Sequence, residues 1–199
     1  MAIIQHDITG VILVGGQSRR MGRDKAFLCW QGAPLFETVL SVFRESFATT
    51  CLVGREEAQY ARYGLKFLAD IYPGSALGGL YTGLFHAATE HVFVSACDMP
   101  YPNRGLLRHL CSLKAGYDCV VAQTAEALEP LFAVYAKSAL PAMQTLLERG
   151  NFRVYDLYPM LRTRYVTVEE LAPFADQGRS FINVNTPEEF ARLQDHHHK

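Results

Sequence analysis

The chain has little from which a stapled, membrane-spanning or nucleic-acid-coating protein is built. Its five cysteines are odd in number and form no Cys-x-x-Cys pair, so neither a disulfide framework nor a cysteine zinc site is legible. Cys51 and Cys97 fall in apolar strand-like runs, where buried free thiols are expected, and a reduced, cytoplasmic compartment fits. No apolar run approaches the length of a membrane span. The stretch from Met1 to Asp7 has neither the basic start nor the long apolar core of a secretory leader. Formal net charge is −1, which leaves no global field to recruit nucleic acid or an anionic membrane. There is no internal repeat, low-complexity segment or linker. His86, His91 and His109 show no metal-ligand spacing, and no nucleophile with a base beside it stands out.

What remains is the composition of an ordinary globule: 199 residues, 49% hydrophobic, with mean hydropathy of +0.02. That length suits one domain with a substantial core. Residues 1–195 are expected to form it, with 196–199, which include His196 to His198, as a tail or tag remnant. Strand-like runs (Ile8–Val14, Thr50–Val53, Leu65–Ala69, Val92–Ala96, Cys119–Ala122, Leu131–Tyr135, Tyr165–Val168, Phe181–Val184) alternate with helical patterns through most of the chain. Val92–Ala96 is apolar apart from Ser95, as in a strand buried on both faces. The order predicts an α/β fold, a mostly parallel sheet flanked by helices. In such sheets ligands bind beyond the carboxyl ends of the strands.

The first strand runs into Gly15-Gly16, and Arg19, Arg20 and Lys25 follow closely. Glycines let backbone approach a ligand, and exposed N–H groups at such a turn suit phosphate oxygens. Cations nearby add charge-assisted bonds, so the segment reads as a triphosphate cradle. It is not a Walker A loop, because no Ser or Thr follows Lys25, and it lacks the Gly-x-Gly-x-x-Gly of a dinucleotide fold. Trp30 is expected to pack beside this loop.

Asp98 emerges from the apolar strand ahead of Met99-Pro100. It suits magnesium, a hard ion held through one or two carboxylates plus substrate phosphates; capping the following helix is the structural alternative. Asp70 also ends a strand, although Tyr72-Pro73-Gly74 is turn sequence that often begins with Asp. Gly78 and Gly79 at a helix start serve either a close ligand approach or tight packing on the sheet. Asn183 and Asn185 share one face by strand periodicity and could meet a polar ligand or metal-bound phosphate. Thr186-Pro187-Glu188-Glu189 predicts a capping box.

Leu13-Val-Gly-Gly-Gln-Ser-Arg-Arg-Met-Gly-Arg-Asp-Lys25 resembles the signature of molybdenum cofactor guanylyltransferases, Leu-Ala-Gly-Gly-x-Ser-x-Arg-Met-Gly-x-Asp-Lys. The likeness continues through Tyr72–Gly79, Cys97-Asp-Met-Pro100, Glu129–Tyr135 and Asn183–Glu189, in family order and across nearly the whole chain. It implies a single Rossmann-like nucleotidyltransferase domain that moves GMP from GTP to the terminal phosphate of molybdenum-molybdopterin, releasing pyrophosphate. By position, Leu13, Val14, Gly15 and Gly16 would line guanine and phosphates, with Val53, Asp70 and Gly79 beside the nucleotide. Lys25 and Arg20 would hold the triphosphate, and Asp98 would bind Mg2+. Asn183 and Asn185 would belong to the pterin side. The resemblance also implies exchange with the molybdenum-insertion enzyme and recipient molybdoenzymes, and no nucleic-acid or membrane partner. Two departures stand out: Val14 replaces the usual alanine, and Val53-Gly54 stands where some members have an asparagine contacting guanosine. Cytidylyl or sugar-phosphate transfer on the same fold, and a non-catalytic nucleotide-binding adaptor, are the rival readings.

Overall fold

The structure, a computed structural model, describes residues 4–14, 25–174, 179–184 and 186–197. The strands are β1 (Gln5–Leu13), β2 (Cys29–Trp30), β3 (Ala33–Pro34), β4 (Phe47–Gly54), β5 (Lys66–Ala69), β6 (His91–Ala96), β7 (Cys119–Ala122), β8 (Phe132–Ala136) and β9 (Thr163–Val166). The helices are α1 (Leu35–Ser46), α2 (Glu57–Tyr60), α3 (Ala76–His86), α4 (Arg104–Ser112), α5 (Leu140–Glu148), α6 (Val168–Leu171) and α7 (Pro187–His197). Among the described residues one seven-stranded sheet has the order β5-β4-β1-β6-β8-β7-β9, and β2 and β3 form a small ribbon.

The expected α/β fold is observed. β5, β4, β1 and β6 run parallel, and β7 pairs parallel with β9. β8 alone is reversed, antiparallel to both β6 and β7. Four of these strands end together: Leu13 lies opposite Val53 on one side and Ala96 on the other, and Gly54 lies opposite Ala69. Because β8 runs the other way, its beginning, Phe132, lies opposite Ser95. The segment leading into β8 therefore arrives at the same sheet edge where β1, β4, β5 and β6 finish.

Both faces of the sheet are covered by apolar helix faces. On one side α1 buries Leu35, Phe36, Val39, Leu40 and Phe43, and the last four meet Ile8, Ile12 and Phe93 with Leu106 and Leu110 of α4. On the other, α3 contributes Leu77, Leu80 and Leu84, which pack with Val11, Val94 and Tyr135 and with Met143 of α5. β6 is buried from Val92 to Ala96, in keeping with a sequence apolar but for Ser95, whose buried hydroxyl donates to Ala96 O at 3.0 Å.

One local expectation changes. Phe181–Val184 is not a strand: Arg179–Phe181 forms a 3-10 turn and 182–184 are irregular. Val184 instead fills a small cluster with Trp30 and Leu35, and its N–H is claimed by a loop carbonyl rather than a neighbouring strand. Trp30 packs edge-on against Tyr101 at 5.5 Å and against Phe190 of α7 at 5.9 Å; the glycine loop beside which it is expected lies outside the described residues. The capping box is present, with Glu189 N–H donating to Thr186 Oγ1 at 3.1 Å and Thr186 N–H to the Glu189 carboxylate at 3.2 Å.

Candidate active site

Of the residues expected to hold a nucleotide, Leu13, Val14, Val53, Asp70 and Gly79 lie at the shared strand ends. Val14 N–H donates to Val53 O at 2.8 Å, and Asp70 N–H donates to Gly54 O at 3.1 Å, so the ends of β1, β4 and β5 are tied in sequence. A Cβ built on Gly79 would stand 3.2 Å from Leu13 Cδ2 and 3.9 Å from Asp70 Oδ2. Leu13, Val14, Val53, Asp70 and Gly79 thus form one contiguous group. Gly15, Gly16, Arg20 and Asn185 lie outside the described residues, as does the side chain of Lys25, whose backbone opens a short 3-10 turn, Lys25–Phe27.

Asp70 is held by a device that local sequence does not reveal. Its Oδ1 accepts from Tyr72 N–H at 3.1 Å, the turn expected of Asp before Tyr72-Pro73-Gly74, and also lies 3.1 Å from Thr82 Oγ1 on α3. Thr82 Oγ1 accepts from Ile71 N–H at 2.9 Å and can alternatively donate to Gly78 O at 2.9 Å. Burial pushes the Asp70 carboxyl above the usual carboxylate range, against the opposing pull of these hydrogen bonds and of the Arg55 cation. Thr82 and Arg55 are therefore site residues that motif reading misses. Gly78 is explained by packing: a Cβ there would lie 2.0 Å from Tyr72 O. No side chain fits between the start of α3 and the Asp70 turn.

Asp98 follows β6 by two residues and is 9% exposed. It does not cap the next helix, because Asn103 does so, its side chain accepting from Leu106 N–H at 3.0 Å. That removes the structural alternative for Asp98. Its carbonyl accepts from Val184 N–H at 3.0 Å, which brings the asparagine segment to the loop after β6. Asn183 is half-buried there, its Nδ2 donating to Phe181 O at 3.3 Å.

The donor chemistry fits a hard divalent cation only in part. Asp98 offers carboxylate oxygens at the strand edge, yet no group of three or more His, Cys, Asp or Glu able to hold a metal occurs among the described residues. That composition suits an ion held mostly by substrate phosphates and completed by one carboxylate, the usual habit of magnesium.

The profile of the MobA-like NTP transferase domain family matches residues 10–164. A probable molybdenum cofactor guanylyltransferase of Pelotomaculum thermopropionicum is 38% identical, over 94% of this chain and 91% of its own length. The molybdenum cofactor guanylyltransferase of Vibrio parahaemolyticus is 34% identical, over 92% and 93% respectively. The crystal structure of molybdopterin-guanine dinucleotide biosynthesis protein A from Archaeoglobus fulgidus superposes with a TM-score of 0.84 at 30% identity, covering 96% of this chain and 99% of that one.

Proposed function

Because the chain belongs to the MobA-like NTP transferase domain family, we propose that it transfers GMP from GTP to the terminal phosphate of molybdenum-molybdopterin. The products are molybdopterin guanine dinucleotide cofactor and pyrophosphate. The observation that carries this reading is similarity along more than nine-tenths of the chain to relatives of that one activity, supported by the grouping of Leu13, Val53, Asp70 and Gly79 at one sheet edge.

In the reaction an oxygen of the acceptor's terminal phosphate attacks the α-phosphorus of GTP. The bond from that phosphorus to the oxygen bridging to the β-phosphate breaks, and pyrophosphate leaves with the bonding pair. The protein makes no covalent bond to either substrate, so positioning and charge neutralisation carry the acceleration. Leu13, Val14, Val53 and Gly79 would bound the nucleotide, with Asp70 held beside them by Thr82. Gly15 and Gly16 would present backbone N–H groups to the phosphates, and Lys25 and Arg20 would neutralise the departing pyrophosphate. Asp98 would hold Mg2+, which when bound neutralises charge on the phosphate oxygens. Asn183 and Asn185 would face the pterin substrate.

The reading extends to a reducing, cytoplasmic setting, supported by the buried thiols Cys51, Cys111 and Cys119 and by burial that pushes the Cys51 thiol up to about 11. No helix of the described residues is long and apolar enough to cross a membrane. It also extends to exchange of substrate and product with a molybdenum-insertion enzyme and recipient molybdoenzymes.

GTP labelled at the α-phosphate tests the function. With magnesium and molybdenum-loaded molybdopterin, label should appear in a pterin-containing dinucleotide while the pyrophosphate stays unlabelled. Label confined to free GMP would mean hydrolysis rather than transfer.

A further inference from the structure

Glu129 stands on the turn that enters β8, and that turn is pinned at almost every backbone group. Its N–H donates to Ala122 O at 3.0 Å, and its carbonyl accepts from Phe132 N–H at 3.2 Å. The carbonyls on either side each take a tyrosine hydroxyl: Tyr155 Oη donates to Leu128 O at 2.9 Å and Tyr135 Oη to Pro130 O at 2.9 Å. Next in line, Leu131 O accepts from Ala96 N–H at 3.2 Å, which fixes the turn to the end of β6, the strand that leads to Asp98. The frame is rigid, and the side chain it presents is half-buried. Among the described residues that carboxyl meets no hydrogen-bond donor and no cation. The groups that act on it are Glu126 of the same loop and Tyr155 from the 3-10 segment Val154–Met160.

Holding a carboxyl in this way is costly for the fold. Burial and the Glu126 charge push it up to about 7, so near neutrality an acid is kept half-ionised with no partner among the described residues. Perturbed acids of this kind cluster at ligand sites. Topology says which ligand. The nucleotide group (Leu13, Val53, Asp70, Gly79) lies on the β1, β4 and β5 side, whereas Glu129 lies beyond β6, across the Asp98 loop. An incoming acceptor must reach the α-phosphorus from the side opposite the leaving pyrophosphate.

We propose that Glu129 binds the acceptor, its carboxylate taking two parallel N–H bonds from the 2-amino group and adjacent ring N–H of the pterin. The inference rests on the proposed reaction and names a specificity residue within it. Paired donors of this kind suit the two oxygens of a carboxylate as a guanidinium does. Guanine carries a similar edge, so the assignment to the acceptor is decided by kinetics.

The test uses the full chain with Glu129→Gln and Glu129→Ala, following pyrophosphate release while each substrate is varied in turn. Loss of two charge-assisted bonds should raise the KM for molybdenum-molybdopterin at least about tenfold in the alanine variant, with the KM for GTP within about twofold. An unchanged acceptor KM, or a GTP KM that rises in step, overturns the proposal. A second readout is inhibition by 6-hydroxymethylpterin against 6-hydroxymethyl-lumazine, which has an oxygen in place of the 2-amino group. Wild type should prefer the pterin. Glu129→Gln, whose amide offers one acceptor and one donor, should prefer the lumazine. The same order in both proteins, or no discrimination in either, also overturns it. A wild-type protein that releases no pyrophosphate from GTP would instead sink the underlying reaction, and the proposal with it.

Discussion

Val14 and Gly54 fit together so closely that neither can change alone without cost. A Cβ at Gly54 would lie 2.8 Å from Val14 Cγ2 and 3.3 Å from both Val14 C and Phe67 Cζ. Gly54 is not among the positive-φ glycines of the described residues, so the penalty of Gly54→Ala is steric rather than conformational. Overpacking of this kind costs about 1–3 kcal/mol, offset by about 0.4–1 kcal/mol from the stiffer unfolded chain. A net loss of about 1–2 kcal/mol should lower the melting temperature by about 2–8 °C in a chain of this size. Val14→Ala removes two methyl groups from a side chain that is 8% exposed, worth about 1.6 kcal/mol before any cavity term. In the double variant the new methyl enters the vacated space, so the two effects should fail to add by about 1 kcal/mol or more. Urea unfolding of the four proteins gives this coupling directly. Because Gly54 O receives Asp70 N–H at 3.1 Å, the KM for GTP should rise in Gly54→Ala and recover in the pair. Additivity within about 0.5 kcal/mol would show that Val14 is not the obstacle and would refute the reasoning.

Three further outcomes are expected. Asp98→Asn should cut turnover by about a hundredfold or more with the unfolding midpoint little changed, since the bond from Val184 N–H uses the backbone carbonyl; wild-type turnover would remove Asp98 from the metal site. Thr82→Val keeps the shape but strips Ile71 N–H and Asp70 of a partner, at about 1–3 kcal/mol; unfolding measurements and a raised KM for GTP would register it, and no change in either would contradict the role of that hydroxyl. Glu129 is pushed up from 4.5 to about 7, so the folded chain holds that proton more tightly than the unfolded one. Its contribution is intact below about pH 4.5 and lost as pH rises through about 7, so Glu129→Gln, after allowance for solvent screening of a half-exposed group, should be more stable than wild type by about 1–2 kcal/mol at pH 8, with that advantage absent at pH 4; urea titrations at the two pH values decide it.

Features set by neighbours in sequence were legible, and those set across the fold were not. The buried strand before Asp98 announced itself by a run apolar but for Ser95, and the Thr186–Glu189 box by its spacing. Leu13, Val53 and Asp70 could be placed at strand ends because parallel α/β sheets put ligands there. By contrast, Phe181–Val184 looks like a strand by composition, yet Val184 donates to Asp98 O and packs on Trp30. Gly78 could not be assigned until Tyr72 O was seen in the space its Cβ would need. The Asp70–Thr82 bond joins β5 to α3 across a turn, and no local pattern encodes it. Glu129 reaches the site edge only because β8 is antiparallel, a reversal that the apolar run itself does not signal.

Pyrophosphate release with magnesium and molybdenum-loaded molybdopterin, supplied in parallel with GTP, CTP and UTP, tests guanylyl transfer most directly. Release with GTP, and little with the pyrimidine nucleotides, is the predicted result. Release with CTP in its place would keep the fold and the phosphoryl chemistry but contradict the assignment of guanylyl transfer, and silence with all three would contradict the enzyme itself.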